Sequence, residues 1–292
     1  MGGRTVKTCV KLDEPQTLVD YRAACPDSTW KQMYVDPHNG GMAAYRDIKR
    51  QLVKGQRCLC AFCEINIADG TSEEHLDARK REQRVEHFHP KEDVTRPPNW
   101  ALHWPNLWAV CHGGSSWPPD GEALDPKTQL PPLKENLSCD AFKGQQIESG
   151  ALNNPPEGWI LSPDQVPPFP RLVAFESDGT PIPDAANCEA TVIGGNNHAD
   201  TTSLVAATIY HLNLGCTRLK RNRSIVRAQL EKRIASLRRQ NPGLPAAELL
   251  LQLARKLFIA DSSTPWLEYF TFVRWRLDAA AEQRLNEIGY TG

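Results

Sequence analysis

Apolar side chains recur at near-helical spacing from Met42 to Val53, with Met42, Tyr45, Ile48, Leu52 and Val53 on one stripe, which predicts a helix there. That helix leads directly into Cys58-Leu59-Cys60-Ala61-Phe62-Cys63. Further upstream, Arg4-Thr5-Val6-Lys7 reads as a short strand. Residues 99 to 170 are crowded with proline and glycine, including Pro118-Pro119, Pro131-Pro132, Pro155-Pro156 and Pro167-Pro168, so long regular helices are excluded from that stretch. Leu172-Val173-Ala174-Phe175 and Thr191-Val192-Ile193 read as strands, with a turn at Ser177-Asp178-Gly179-Thr180.

The pattern changes after about residue 198. Asp200 or Thr201 caps an expected helix bearing Leu204, Val205, Thr208, Ile209 and Leu212, and a second follows with Leu219, Val226, Leu230, Ile234 and Leu237 on one face, ended by Pro242-Gly243. Pro245 and Pro265 each suit the first turn of a helix, introducing Leu249 to Phe258 and then Trp266, Phe270, Val273 and Leu277. The chain therefore divides into an N-terminal segment (1–55), a Cys/His-rich core (56–150), a proline-rich connector with short strands (151–197) and a helical region (198–292).

Composition narrows the class. The 292 residues are 40% hydrophobic and carry a net charge of −1, which argues for a folded protein and against one that coats nucleic acid or membrane by bulk attraction. Charge is uneven: residues 151–200 hold seven acidic side chains and one basic, residues 201–240 nine basic and one acidic. The basic run at 218–239 is either a solvated helix face or a phosphate- or partner-binding surface. Trp266, Tyr269, Phe270, Phe272, Val273 and Trp275 cluster closely enough that part of this aromatic surface is expected to dock on another chain, with core packing alone as the alternative. With no apolar run of membrane-spanning length and no apolar leader, the protein is expected to be cytoplasmic.

Nine cysteines in such a chain point to metal and not to a disulfide framework. Cys60-x-x-Cys63 has the spacing that brings two thiolates onto one ion, and Cys111 with Cys139 is the obvious completing pair. Cys58 is read as a buried thiol. Between the pairs lie Glu86-His87-Phe88-His89-Pro90-Lys91 and Trp104-Pro105-Asn106-Leu107, and Cys139-Asp140 leads on to Lys143. Phosphodiester hydrolysis needs a base for water and a divalent ion to neutralise developing charge. His87 offers the base; Glu86 and Asp140 offer hard oxygen ligands. His103, His198 and His211 read as ordinary surface or core residues.

This order of motifs resembles the HNH, or ββα-metal, endonucleases. The pieces Cys60-Ala61-Phe62-Cys63-Glu64, Val85-Glu86-His87-Phe88, Trp104-Pro105-Asn106-Leu107 and Cys139-Asp140-x-x-Lys143-Gly144 resemble the PtuB-like subfamily, the nucleases of Septu and some retron anti-phage systems. The resemblance implies an α+β fold, with a small zinc-braced ββα-metal core and surrounding helical segments. It makes His87 the general base, oriented by Asn106, and puts Glu86 and Asp140 at a catalytic Mg²⁺ or Mn²⁺ with Lys143 nearby. Cys60, Cys63, Cys111 and Cys139 become ligands of a structural zinc, and His89 (arginine in most members) and Lys91 become contacts to nucleic acid.

A PtuA-like ABC-type ATPase is the implied partner, and DNA the implied substrate. RNA cleavage, a zinc-braced binding module without catalysis, and a zinc hydrolase with an open mixed-ligand site are the alternatives.

Overall fold

The computed structural model describes residues 9–78, 83–95, 97–115 and 134–292. The strand expected at Arg4–Lys7 and two of the diproline steps lie outside these residues. Three helices open the chain: α1 (Gln16–Ala24), α2 (Trp30–Val35) and α3 (Gly41–Gly55). Thr29 starts α2 with a reciprocal capping box to Gln32. Helix α3 buries Ala44, Ile48, Leu52 and Val53 at helical spacing beneath Leu18 and Tyr21 of α1 and Met33 of α2. Met42, expected on that stripe, is exposed. Gly41 is required where α2 meets α3, because a Cβ there would lie 2.2 Å from the Met33 carbonyl.

After the short helix α4 (Glu73–Ala78) comes an antiparallel hairpin of β1 (Arg84–His87) and β2 (Leu107–Val110), which pairs Glu86 with Trp108 and His87 with Leu107. Helix α5 (Cys139–Glu148) follows. The end of α3 is fastened to this hairpin by the buried Gln56 amide, whose Nε2 donates to the Ala109 carbonyl at 2.7 Å while its Oε1 accepts from Ala109 N at 2.8 Å. A buried amide satisfied on both ends replaces one rung of a third strand.

The second two-stranded sheet joins β3 (Val173–Phe175) to β4 (Pro181–Pro183) across the expected turn, where Gly179 has φ +85°. Thr191–Ile193 is not a strand. The chain enters helix α6 (Ala185–Glu189), capped by the Asp184 side chain, and Val192 stands in solvent. Proline is tolerated in β4 because each strand of a two-stranded sheet has a free edge.

Helices α7 (Thr201–His211), α8 (Thr217–Gln240), α9 (Ala246–Leu257), α10 (Phe270–Leu277) and α11 (Ala279–Glu287) complete the fold. Asp200 caps α7 as expected, its carboxylate accepting from Ser203 N at 2.7 Å. In α8, Leu219, Leu230 and Ile234 are buried. No helix among the described residues is long and apolar enough to cross a membrane.

Pro265 does not open a helix. Trp266 N donates to the Arg57 carbonyl and Tyr269 N to the Glu64 carbonyl, so the segment spends its N–H groups on the cysteine-rich turn, and α10 starts only at Phe270. The buried Glu64 carboxylate accepts from Thr271 N at 2.8 Å and from Thr271 Oγ1 at 2.5 Å, capping α10 from a distant part of the chain. These contacts favour the core-packing alternative over an aromatic docking surface. Trp266, Tyr269, Phe270, Phe272 and Val273 are all buried in the common core, and the Arg57 guanidinium stacks 3.6 Å from the Trp266 ring centroid.

Because Trp266 is a core residue, Trp266→Ala should destabilise the protein by about 3–5 kcal/mol, the range for truncating a large buried aromatic. A shifted denaturant midpoint with an unchanged slope is the expected reading; an unshifted midpoint would return the residue to the surface.

Candidate metal centre and active site

Four cysteines converge from three parts of the chain. Cys60 and Cys63 lie on the turn after α3, where Glu64 N returns to the Cys60 carbonyl and Ala61 N reaches Ala109 O. Cys111 follows β2, and Cys139 opens α5. All four sulfurs are buried and lie within 4.8 Å of one another. Cys60–Cys139 is 3.9 Å, Cys63–Cys111 3.6 Å and Cys111–Cys139 3.8 Å. A tetrahedron with metal–sulfur bonds of about 2.3 Å has edges of about 3.8 Å, so the sulfurs already have the spacing of a tetrathiolate ion such as zinc. Cys58, also buried, is not in the group.

The protonation pattern is that of ligands crowded together. Burial pushes the Cys63 and Cys139 thiols up; at Cys60 burial acts the same way but is outweighed by hydrogen bonds from Cys111, Cys139 and Cys63, which hold it well below an ordinary thiol. Gly113 N also donates to Cys111 Sγ at 3.3 Å. The Gly113-Gly114 pair has a local purpose. Gly113 has φ +60°, and a Cβ on it would sit 2.1 Å from the Ser138 carbonyl, so only glycine lets the segment after β2 pass the start of α5.

One residue beyond Cys139, Asp140 faces Glu86 across the hairpin and helix. Asp140 Oδ1 is buried without a hydrogen-bond partner among the described residues, and Oδ2 lies 3.7 Å from the Arg84 guanidinium. Burial first, then the neighbouring Glu86 charge, pushes the Asp140 carboxyl up to about 7. An orphaned oxygen on a crowded acid pair is the donor set that a hard divalent cation satisfies. Buried Lys143 is ion-paired with Glu86 and donates to the backbone carbonyls of His87 and Phe88 at 3.2 and 3.1 Å, tying α5 to the end of β1. Glu86, Asp140 and Lys143 are thus brought together.

His87 follows Glu86 at the end of the strand, and its ring contacts lie elsewhere. It meets Trp30 edge-on at 4.6 Å, and its Nε2 is 3.1 Å from the Ala101 carbonyl. A carbonyl can only accept, so Nε2 carries the proton and Nδ1 keeps its lone pair. Desolvation lowers the His87 pKa to about 3 and keeps the ring neutral. The hydrogen bonds of Asn106 go to the neighbouring loop. Its Oδ1 accepts from His89 N at 2.7 Å and its Nδ2 donates to the carbonyls of His89 and Trp100, both at 3.0 Å. Asn106 therefore clamps the loop between the strands, and the loop supplies Ala101 to His87.

His89 is stacked on Trp100 at 3.8 Å and lies between Asp93 at 2.9 Å and Glu157 at 2.8 Å, so that both its ring nitrogens already face carboxylates. Lys91 is exposed, 3.0 Å from Glu92. Sequence reasoning gave no role to Gln56, to Glu64 of the quoted cysteine motif, or to two buried arginines of α8, Arg218 and Arg223. Glu64 stood in that motif, and Arg223 lies four residues after Leu219 and three before Val226, on the apolar face.

No family model matches the chain, and no solved structure matches it. Among curated proteins it is 34% identical over 221 residues to an Escherichia coli protein of retron Ec83 named as a candidate HNH endonuclease, covering 75% of this chain and 78% of that one. The paired hairpin and helix, the cysteine cluster and this similarity carry one conclusion: the chain belongs to the HNH endonuclease family.

Proposed function

We propose that the protein is a metal-dependent endonuclease that hydrolyses phosphodiester bonds in nucleic acid, with DNA as the favoured substrate, and that Cys60, Cys63, Cys111 and Cys139 hold a structural zinc. The observation that carries this reading is the buried Asp140 oxygen with no partner beside Glu86, at the junction of hairpin and helix. A Mg²⁺ or Mn²⁺ bound there would offset charge developing on the phosphate. Four thiolates leave the zinc no open position, so it braces the site and takes no part in hydrolysis.

His87 serves as the general base. Its neutral ring, with Nε2 donated to Ala101, presents Nδ1 to take a proton from the attacking water. Lys143 acts as a positioning residue, through Glu86 and the backbone at the end of β1. Asn106 positions the loop that fixes the ring. Lys91 is the remaining exposed cation in this motif for a phosphate contact.

On this reading the chain is a PtuB-like nuclease that acts in anti-phage defence with a PtuA-like ABC-type ATPase; the retron setting named for its relative supports this. Near-neutral net charge and the acidic stretch at 151–200 favour a nuclease delivered to its substrate by a partner over one that gathers nucleic acid by itself. The test incubates the purified protein, alone and with such an ATPase, with plasmid DNA and with total RNA, in Mg²⁺ or Mn²⁺ and in chelator. Cation-dependent cleavage of DNA is expected; cleavage of RNA alone would reverse the substrate, and no cleavage in any arm would refute the activity.

His87→Ala should cut at least about 10²-fold more slowly while keeping its zinc and its circular dichroism, the lower end of what a positioned base provides. Cleavage at the parental rate would remove His87 from the mechanism. Cys63→Ser should lose the zinc and fold poorly, since structural zinc binding contributes on the order of 10 kcal/mol of apparent free energy. Metal content and melting temperature read this directly.

The raised Asp140 pKa fixes a pH dependence. The folded state holds the proton to about pH 7, the unfolded chain only to about 3.8, so the stabilisation is complete below pH 4 and is lost as pH rises through 7. Without divalent cation, urea midpoints should fall from pH 5 to pH 8, Asp140→Asn should flatten the fall, and Mg²⁺ should restore stability at pH 8. A midpoint that is level with pH and indifferent to Mg²⁺ would contradict the assignment.

A further inference from the structure

Helix α8 sends one cation into the protein without an ordinary partner. Arg218, the second residue of the helix, is buried, whereas Arg221 one turn on is exposed. Helix N-termini carry partial positive charge, so a buried guanidinium there is opposed by its own helix. Among the described residues no carboxylate pairs with it. Its Nη2 donates to Ser138 Oγ at 2.7 Å, and its Nε is buried with no hydrogen-bond partner. Burial lowers its pKa, yet the pull of Cys63, Cys111, Cys216 and Cys139 outweighs that and raises it overall. Arg223 differs, because it has two backbone carbonyls and the Glu64 charge among its neighbours.

The path from Arg218 to the cluster is short. Ser138 Oγ, which accepts from the guanidinium, is 3.5 Å from Cys139 Sγ and can pass its own proton toward that sulfur. Gly114, at φ +80°, opens the way, since a Cβ on it would lie 3.1 Å from Arg218 Nε. Four thiolates around a divalent ion carry a net charge of −2, and an isolated buried cation beside neutral thiols would be strongly disfavoured. The buried guanidinium and the loaded centre therefore answer each other's charge.

We propose that Arg218 is the counter-ion of the metal-loaded Cys60–Cys63–Cys111–Cys139 centre, acting through Ser138 Oγ on Cys139 Sγ, so that α8 sets how firmly the metal is held. This rests on the metal-centre reading above. Arg218 is a positioning residue here, and it makes metal retention depend on the docking of the C-terminal helices. The Gly113-Gly114 pair then serves both the Ser138 backbone and the approach of this side chain.

The test uses the full-length protein. Zinc content is measured first, then the rate of zinc release to a chromogenic chelator, and then the sulfur-to-metal charge-transfer band of the Co²⁺-substituted form. Arg218→Gln should release zinc at least about 10-fold faster, the scale of losing an outer partner of a metal ligand, with a shifted band of undiminished four-thiolate intensity. Arg218→Lys should recover part of the rate. Arg221→Gln should match the parent.

Ser138→Ala keeps the charge but removes the relay, and should release zinc at an intermediate rate with a smaller band shift; it carries the test if Arg218→Gln does not fold. Parental release and an unshifted band in Arg218→Gln, or in Ser138→Ala where that variant stands in, would overturn the proposal while leaving the metal centre intact. A parent protein that holds no metal would overturn both.

Discussion

Four sulfurs packed into a buried space from three distant segments are the constraint on which the rest of the structure depends. Cys60 and Cys139 are 79 residues apart, yet their sulfurs are 3.9 Å apart. Closing that loop is costly in entropy and crowding the thiols is costly in charge, so the arrangement requires strong compensation. A divalent ion held by the four sulfurs would supply it. The turn that carries Cys60 and Cys63 is also where Ala61 meets β2, where Glu64 caps α10 and where Arg57 stacks on Trp266. One short segment thus joins the cysteine cluster, the hairpin and the C-terminal core.

The same brace positions the acidic residues. Cys111 comes directly after β2 and Cys139 directly before Asp140, so fixing the two sulfurs sets the hairpin against the helix and Asp140 against Glu86. Lys143, one turn along α5, locks the other side of the joint through the His87 and Phe88 carbonyls. At this joint burial first, then the Glu86 charge, pushes the Asp140 carboxyl up to about 7. The loop between the strands is fixed separately, by Asn106 and by the stack of His89 on Trp100.

Local chemistry was legible in the sequence. The Cys-x-x-Cys spacing, the apolar stripe of α3, the Asp200 cap and the Pro242-Gly243 stop each depend on residues close together in the chain. What was hidden depends on partners far away. Trp266 to Tyr269 would extend a helix on local preference, but their N–H groups are claimed by Arg57 and Glu64. Thr191–Ile193 has strand-like residues but no neighbouring edge to pair with, whereas Pro181–Pro183 has one in β3. His89 sits in a motif associated with phosphate contact, yet Asp93, Glu157 and Trp100 enclose it. Arg218 looks like one member of a basic run until Ser138 and the cysteines are brought beneath it.

The most direct test of the account is X-ray absorption at the metal edge of the purified protein, with total metal content measured on the same sample. The account predicts one zinc per chain with four sulfur neighbours at about 2.3 Å and no nitrogen or oxygen neighbour. Mixed sulfur and nitrogen ligation, an open position occupied by water, or a folded protein without metal would contradict it.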